Sequence, residues 1–328
     1  MSSAHPSIHI IALSGQKLVA GLISLQVQDL IQKTLEEGKK ILLFYNRRAF
    51  GHAWICQDCG HFESCPDCDI ALAYHSDPKP LLRCHHCSRI SPVPEKCPHC
   101  QSLFSAPVGI GIQQVEQGLH ALFPNASLYR IDSDMQDNAA RVKENIDTSE
   151  ILLSTQKGSS IQHPDIAAVV FVLFEVNFSV PSYDIEENTY HLIAYFKKQL
   201  LPVYVQTYIP HHPVLQSLVF ENYKDFLSNT LIPERKAFLY PPFNEFVIIR
   251  IHHVKKERVR ALVESLTDKI EPQLSESEIF FSADTDIWTR MQGQWNQKII
   301  LKGKGVLDIL ETLTPLIVRN RSIHIEWQ

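Results

Sequence analysis

Eight cysteines carry the clearest chemical signal in this 328-residue sequence. All of them lie between Cys56 and Cys100, where they form four C-x-x-C pairs with no cysteine left over. A C-x-x-C pair in a tight turn presents two thiolates to one ion, and two such turns complete the tetrahedron of sulfur ligands that structural zinc prefers. The pairs are Cys56/Cys59, Cys65/Cys68, Cys84/Cys87 and Cys97/Cys100.

The spacing of the pairs indicates which turns share an ion. Fifteen residues separate Cys68 from Cys84, which fits a known zinc spacing, whereas only five separate Cys59 from Cys65. Five residues form a cramped connection for two turns that must face each other. We therefore predict two zinc ions in a nested arrangement. Cys65, Cys68, Cys84 and Cys87 bind one ion, and Cys56, Cys59, Cys97 and Cys100 bind the other.

Both predicted sites are filled by sulfur, so we expect the metal to be structural rather than catalytic. It would stabilise a loop-rich module that is too small to build its own core. A redox-active dithiol and an iron–sulfur cluster are the alternatives. The histidines of the same segment are expected to lie around the sites without binding the metal; they are His61, His75, His85, His86 and His99.

Composition sets limits on the class of protein. A hydrophobic share of 45% with 20% charged residues is typical of a globular protein. The formal net charge of −5 does not indicate a nucleic-acid binder, so any such contact must come from a local basic patch. We recognise no signal peptide and no apolar stretch long enough to span a bilayer. We expect a cytoplasmic protein without membrane contact, where reduced thiols favour metal sites.

Apolar strands and amphipathic helices alternate through the first two thirds of the chain. This alternation is typical of a parallel sheet covered on both faces, an α/β fold. The predicted helices are 24–40, 112–123 and 189–200, and the predicted strands are 41–46, 127–132, 150–155, 167–176 and 203–209. The cysteine segment, residues 54–107, is then an insertion in an α/β lobe formed by residues 1–53 and 108–212.

Residues 213–328 follow a different order. A helix is predicted over 213–227, and the elements after it read β-α-β-β-α-β, the order of ferredoxin-like α+β domains. The predicted strands are 246–254, 278–283, 297–303 and 323–327, and the predicted helices are 256–270 and 305–318. We therefore assign residues 213–328 to a separate C-terminal domain.

Several motifs together resemble the PriA family of primosomal replication-restart helicases, also called primosomal protein N′. They include LLFYNRRAFGHAWICQDCG (42–60), VPEKCPHC (93–100), VQTYIPHHPVL (205–215) and ERKAFLYPPF (234–243). The resemblance implies a second RecA-like helicase lobe with an inserted two-zinc module, in the nested pairing, and the family's C-terminal domain. It also implies a C-terminal region that helps to bind branched DNA and the acidic tail of single-stranded-DNA-binding protein.

The resemblance covers only the second half of the family protein. The sequence contains no G-x-x-x-x-G-K-[ST] loop to hold the phosphates of a nucleotide. Where the family has a Q-x-x-G-R-x-G-R helix, this chain reads NTYHLIAYFKKQLLP (188–202). Lys197 and Lys198 do not replace the arginines, because an ammonium group lacks their planar fork. We therefore predict no catalytic residues and no ATP site complete within this chain.

Basic residues mark candidate DNA contacts. Arg47 and Arg48 end a predicted strand, where an α/β sheet places its ligands. A second group is predicted to form a basic pocket for DNA phosphates or an acidic peptide, the alternative being a solvated helix face. Its members are Arg250, Lys255, Lys256, Arg258, Arg260, Lys298, Lys302 and Lys304.

These observations favour a non-catalytic, zinc-stabilised, PriA-like protein of replication restart. Its predicted partners are branched or single-stranded DNA, bound with low specificity, and single-stranded-DNA-binding protein or other primosome proteins. The alternative is one subunit of a split ATP-dependent 3′–5′ DNA helicase, with the first motor lobe on another chain. A third possibility is a decaying gene product that retains no activity.

Overall fold

A computed structural model describes most of the chain. The described residues are 7–328, except 17, 20, 46–51, 68–70, 76–78, 85, 86, 88, 109, 110, 133–137, 156, 157, 160, 180, 181, 275–277, 284–288 and 292. The chain divides into two compact units. The first unit comprises Met1–Ser64, Ile70–Arg83 and Ile90–Phe226, and the second comprises Cys65–Asp69, Cys84–Arg89 and Leu227–Gln328.

Strands and helices follow one another along both units. In chain order the strands are β1 (Ile8–Ala12), β2 (Lys40–Phe44), β3 (His52–Cys56), β4 (Ala73–His75), β5 (Leu81–Arg83), β6 (Ile90–Ser91), β7 (Ser105–Val108), β8 (Leu128–Ile131), β9 (Ile151–Ser154), β10 (Ile166–Phe171), β11 (Val203–Thr207), β12 (Glu245–His253), β13 (Phe280–Ala283), β14 (Thr289–Met291), β15 (Gln294–Gly303) and β16 (Ile323–Trp327). The α-helices are α1 (Leu25–Glu36), α2 (Ile112–Leu122), α3 (Ala139–Thr148), α4 (Ile185–Lys198), α5 (Pro213–Phe220), α6 (Tyr223–Phe226), α7 (Ile232–Ala237), α8 (Lys256–Ile270) and α9 (Val306–Val318).

The first unit is built on a six-stranded sheet in which every described pairing is parallel. Its strand order is β1-β11-β10-β2-β9-β8. The strands of its centre are buried along their length, as the residues Ile41 to Phe44 of β2 show. Burial on both faces explains why these strands read as continuous apolar runs in the sequence. The fold is therefore a mixed α/β structure with a central parallel sheet, as predicted.

Helices α1 and α2 help to close one face of this sheet. Val27 and Ile31 of α1 and Val115 and Leu119 of α2 are fully buried in one core cluster with the strands. Helix α1 begins where the side chain of Ser24 accepts a hydrogen bond from the amide of Val27, at 3.3 Å. Such a cap satisfies an amide that has no partner inside the helix.

The cysteine segment contributes a second, smaller sheet to the first unit. It is antiparallel, with strand order β6-β5-β4-β3-β7. Strands β3 and β7 pair over Ala53–Cys56 and Ser105–Val108, so the two ends of the segment lie side by side. The cysteine segment thus leaves and re-enters the lobe at one place.

The second unit is an antiparallel sheet packed against two helices. Its strand order is β13-β15-β12-β16, with β14 paired to β15. Alternate residues of the strands, such as Ile249 and Leu301, pack against Val263 of α8 and Ile309 of α9. The other sheet face points away from these helices, because successive side chains of a strand alternate between faces.

Two predicted elements are not continuous in the structure. The strand expected over 167–176 ends at Phe171, and the chain continues as a 3₁₀ helix over Phe174–Ser179. The helix expected over 213–227 is interrupted at Glu221, whose φ of 56° is left-handed. Asn222 starts the next helix, since its side chain accepts from the amide of Asp225 at 3.2 Å.

The cysteine segment is divided between the two units. Residues 65–69 and 84–89 belong to the second unit, and the remainder of 54–107 belongs to the first. The three-domain division of the sequence analysis stays a prediction. Within the described ranges, we find no helix that combines the length and apolar character needed to cross a bilayer.

Candidate metal centres

The structure brings four thiols together in the first unit. The sulfurs of Cys56, Cys59, Cys97 and Cys100 all lie within 4.8 Å of one another. The Cys56 and Cys100 sulfurs are 3.6 Å apart, and so are those of Cys59 and Cys97. A tetrahedral zinc ion with bonds of about 2.3 Å separates its sulfur ligands by about 3.8 Å. This group, called centre 1 below, therefore has the donor set and the spacing for one zinc ion.

Backbone hydrogen bonds shape the C-x-x-C turns. In three of them, the amide of the first cysteine donates to the carbonyl oxygen five residues later. These pairs are Cys56–His61 at 2.8 Å, Cys84–Arg89 at 2.9 Å and Cys97–Ser102 at 2.8 Å. A repeated backbone pattern around different residues indicates that the turns are built for the same task, the presentation of two sulfurs.

The residue after the second cysteine closes each turn of centre 1. Gly60 and Gln101 have left-handed φ angles of 75° and 63°. Their amides donate to the carbonyl oxygens of Cys56 and Cys97, both at 2.8 Å. Gly60 also has no room for a side chain, because a Cβ would come within 2.3 Å of the carbonyl oxygen of Tyr208. The backbone angle thus favours glycine there, and the close approach requires it.

A buried carboxyl group holds the loop on which Gly60 rests. Glu175 Oε1 accepts hydrogen bonds from the Thr207 hydroxyl at 2.5 Å and from the amides of Tyr208 at 2.6 Å and Ile209 at 3.1 Å. Burial raises the pKa of Glu175 despite these three donors. The sequence analysis missed this residue, because it lies within an apolar run that predicted a plain strand.

The thiols of centre 1 differ in acidity. Burial opposes ionisation of Cys56, but hydrogen bonds from the amides of Cys59 and Asp58 and from neighbouring thiols lower its pKa to about 7. Burial is also the main cause that raises the pKa of Cys59 to about 12. Thiolates, not thiols, bind zinc, so a bound cation would displace the remaining protons.

The described histidines of the segment stay outside the thiol groups. His61 and His99 stack with ring centroids 5.9 Å apart, and neither belongs to a described ligand group. His75 lies on β4. His85 and His86 fall outside the described residues.

A second thiol group lies in the second unit. The sulfurs of Cys65, Cys84 and Cys87 lie within 4.8 Å of one another, with Cys65 and Cys87 3.5 Å apart. Cys68, the fourth predicted ligand, lies outside the described residues. This group is called centre 2 below. None of the seven cysteines that the structure describes forms a disulfide.

An ion pair joins the two turns of centre 2. The guanidinium of Arg89 donates to both carboxylate oxygens of Asp67, at 2.7 and 3.3 Å. Asp67 lies between Cys65 and Cys68, and Arg89 follows Cys87 by two positions. The bidentate geometry fixes the distance between the turns better than a single contact does.

The predicted DNA contacts occupy several places. Lys255, Arg258 and Arg260 are exposed at or on α8, and Lys256 lies over the ring of Trp295 at 5.3 Å from its centroid. Lys298 lies opposite Arg250 in the β12–β15 register, on the sheet face that points away from α8. The structure therefore does not bring Lys298 together with the α8 residues. Arg47 and Arg48 lie outside the described residues.

Arg250 and Lys302, both assigned to the predicted basic pocket, contact other groups of the protein. Arg250 is paired with Glu326 at 2.6 Å. Lys302 is buried, with 1% of its surface exposed, so its inclusion in an open pocket was wrong. The alternation of β15 places Lys302 on the face away from the helices, where its ammonium group contacts the carbonyl oxygen of Asp67 and the ring of Tyr240.

Comparisons with known proteins find one matching family model and several similar proteins. Residues 65–92 match the PriA DNA helicase Cys-rich region (CRR) domain. Replication restart protein PriA of Bacillus subtilis is 24% identical, over 90% of this chain and 38% of its own length. The proteins of the same name from Haemophilus influenzae and Borreliella burgdorferi are 31% and 28% identical, over 74% and 93% of this chain and 34% and 47% of their own lengths.

Among solved structures, the de novo designed protein Foldit4 aligns with 26% of this chain and 93% of its own, with a TM-score of 0.22 and 16% identity. The chain spans between about a third and about half of the length of the curated relatives named above. The similarity extends over most of the chain and includes the cysteine segment. The chain is a PriA-like protein that corresponds to the C-terminal part of its relatives.

Proposed function

We propose that the chain is a zinc-stabilised, DNA-binding, PriA-like protein of replication restart that acts in the cytoplasm. The observation that carries the proposal is the tetrahedral spacing of the four sulfurs of centre 1, in a chain whose residues 65–92 match the PriA Cys-rich region. DNA binding is argued from the relatives, which carry the name replication restart protein. Single-stranded-DNA-binding protein and other primosome proteins are proposed as further partners.

In this proposal each centre holds one zinc ion. Centre 1 uses Cys56, Cys59, Cys97 and Cys100, and centre 2 uses Cys65, Cys68, Cys84 and Cys87. Four thiolates leave no position for a reacting water, so the metal supplies stability rather than catalysis. The short strands β3 to β7 support this role, since a sheet of two- to five-residue strands builds little core of its own.

We further propose that the first unit is a RecA-like second helicase lobe and that residues 213–328 form a ferredoxin-like domain. The parallel strand order supports the first assignment. In the second unit, the principal strands run β13-β15-β12-β16, which supports the second assignment. The insertion over 54–107, between 1–53 and 108–212, is part of the same proposal.

The exposed residues at or on α8 are the proposed DNA contact: Lys255, Arg258 and Arg260, with Lys256 beside them. They offer ammonium and guanidinium groups for phosphates, which give affinity without sequence selection. Arg47, Arg48 and Lys298 are proposed as separate, additional contacts. Since the chain has a net charge of −5, binding depends on such local groups.

We propose that these 328 residues do not hydrolyse ATP. The sequence has no phosphate loop. Lys197, at the position where the resemblance implies an arginine helix, donates to Glu221 at 2.6 Å and to the Leu218 carbonyl oxygen at 3.4 Å. A subunit of a split helicase would need a positive side chain directed at the nucleotide phosphates. Because Lys197 is held by Glu221 instead, its position favours the non-catalytic role.

Fluorescence anisotropy with a labelled forked DNA at about 50 mM salt tests DNA binding, since electrostatic contacts are strongest at low salt. The test variant reverses four charges: Lys255→Glu, Lys256→Glu, Arg258→Glu and Arg260→Glu. A matched control reverses four lysines of the first unit: Lys33→Glu, Lys143→Glu, Lys198→Glu and Lys224→Glu. We expect the first variant to lose binding and the control to keep most of it. Unchanged binding in the first variant would contradict the α8 surface, and no binding by the wild type would contradict the proposed function.

A further inference from the structure

A buried lysine contacts one turn of centre 2. Lys302 lies near the end of β15 with 1% of its surface exposed. Its ammonium group donates to the backbone carbonyl oxygen of Asp67 at 3.0 Å. Asp67 lies inside the C-x-x-C turn that begins at Cys65. The contact joins residues 235 positions apart in the chain, within one compact unit.

Two aromatic rings also lie against this ammonium group. Its nitrogen lies 4.3 Å from the ring centroid of Tyr240 and 4.7 Å from that of Phe280. Both distances are within the range of cation–π attraction. Removing an ammonium group from water is unfavourable unless hydrogen bonds and charges compensate for it. Lys302 is therefore a specific element of this contact rather than a solvated surface charge.

The neighbouring strand contacts the other turn of centre 2. The hydroxyl of Ser282, on β13, donates to the carbonyl oxygen of Cys87 at 2.9 Å. In the β13–β15 register, Phe280 is opposite Lys302 and Ser282 is opposite Ile300. Two adjacent strands therefore each provide one donor, and each donor binds a backbone oxygen of a different C-x-x-C turn.

We infer that Lys302 and Ser282 are positioning residues for centre 2, and that metal retention at this centre depends on the C-terminal sheet. The donors hold the two turns at the separation that brings Cys65 and Cys87 to 3.5 Å. A four-thiolate zinc centre carries a formal charge of −2, so a buried ammonium group nearby also stabilises the charged, metal-bound form. The metal part of this inference rests on the proposed zinc sites.

Coupling of this kind is reciprocal. If the sheet strengthens metal binding at centre 2, metal bound at centre 2 stabilises the sheet by the same free energy. Centre 1 lies in the other unit and shares neither donor. The inference therefore predicts that substitutions at Lys302 and Ser282 affect centre 2 and leave centre 1 unchanged.

The test compares alkylation of individual cysteines in the full chain, read by mass spectrometry, with and without a zinc chelator. Lys302→Met keeps the apolar stem and removes the charge, and Ser282→Ala is a milder second variant. Lys304→Met is the matched control, because Lys304 is exposed and two residues further on. Far-UV circular dichroism establishes that each variant is folded.

We expect Lys302→Met to accelerate alkylation of Cys84 and Cys87 about tenfold, the effect of losing one charge-assisted hydrogen bond, with Cys97 and Cys100 unchanged. Ser282→Ala gives a smaller change in the same direction, and Lys304→Met gives none. The inference is overturned if both test variants match the wild type, or if both centres accelerate equally. If the wild type contains no zinc, the proposed metal sites are contradicted rather than this inference. The alkylation rates measured without chelator would then still test whether Lys302 and Ser282 position the two turns.

Discussion

The carbonyl oxygen of Tyr208 lies so close to Gly60 that a Cβ at position 60 would approach it to 2.3 Å. Gly60 closes the first turn of centre 1, and Tyr208 follows the last residue of β11. The same Tyr208 donates its amide to the buried Glu175. Centre 1 is therefore connected to the end of the parallel sheet through the close approach of Gly60 to the backbone of Tyr208.

Replacing Gly60 by alanine should destabilise the first unit and weaken centre 1. The left-handed backbone costs about 1–2 kcal/mol for a residue with a Cβ, and the close contact with a backbone oxygen adds about 1–3 kcal/mol. Gly38→Ala is the control, because Gly38 has a similar φ of 66° but open space around it. Urea unfolding measures the free energy of unfolding of both variants, and the difference between their losses is the effect of the contact with the Tyr208 carbonyl oxygen. Equal losses of stability in the two variants would contradict the close approach.

The stability of the Glu175→Gln variant, compared with that of the wild type, should increase as the pH rises. The folded state raises the pKa of Glu175, so the folded protein binds its proton more tightly than the unfolded chain does. Stability therefore falls as the pH rises through the unfolded pKa of about 4.3 towards the folded value, and glutamine removes this loss. Urea midpoints of both proteins at pH 5 and pH 8 measure the effect. A difference between the proteins that does not change with pH would exclude the raised pKa.

The purified chain should show no ATP hydrolysis, with or without DNA. The sequence has no phosphate loop, and the ammonium group of Lys197 donates a hydrogen bond to Glu221. A coupled assay of phosphate release, run beside an intact helicase as a positive control, provides the measurement. DNA-stimulated turnover that copurifies with the chain through two independent columns would show that the ATP site is complete.

DNA binding should depend strongly on salt and weakly on sequence. If the α8 residues neutralise about four phosphates, the logarithm of the binding constant falls with the logarithm of the salt concentration with a slope of about −4 on duplex DNA. Phosphate contacts carry no sequence information, so two forks of unrelated sequence should bind alike. A slope near zero, or a large preference for one sequence, would require a different interface.

Local patterns predicted much of the fold. Helix α8 has the bounds expected from Val259, Val263 and Leu266, which recur at helical spacing and are all buried. The run 167–176 was mistaken for a single strand, because the strand and the first residues of the 3₁₀ helix after it are both buried and mostly apolar. The spacing of apolar residues cannot distinguish a strand from a helix when both are buried on all sides.

Long-range contacts escaped the sequence analysis. The C-x-x-C spacing indicated the cysteine groups, but nothing near Lys302 in the chain indicates that its ammonium group reaches Asp67. A lysine in a strand end normally suggests a solvated charge, which is why Lys302 was assigned to an open basic pocket. Only the tertiary packing of Tyr240 and Phe280 around it reveals a buried cation.

The zinc content of the purified chain tests the central claim most directly. Elemental analysis and native mass spectrometry should find two zinc ions per chain, because each proposed centre uses four cysteines to bind one ion. Cys97→Ser, which removes a ligand of centre 1, and Cys84→Ser, which removes a ligand of centre 2, should each retain about one ion. Iron in place of zinc, or fewer than one zinc ion per wild-type chain, would contradict the account.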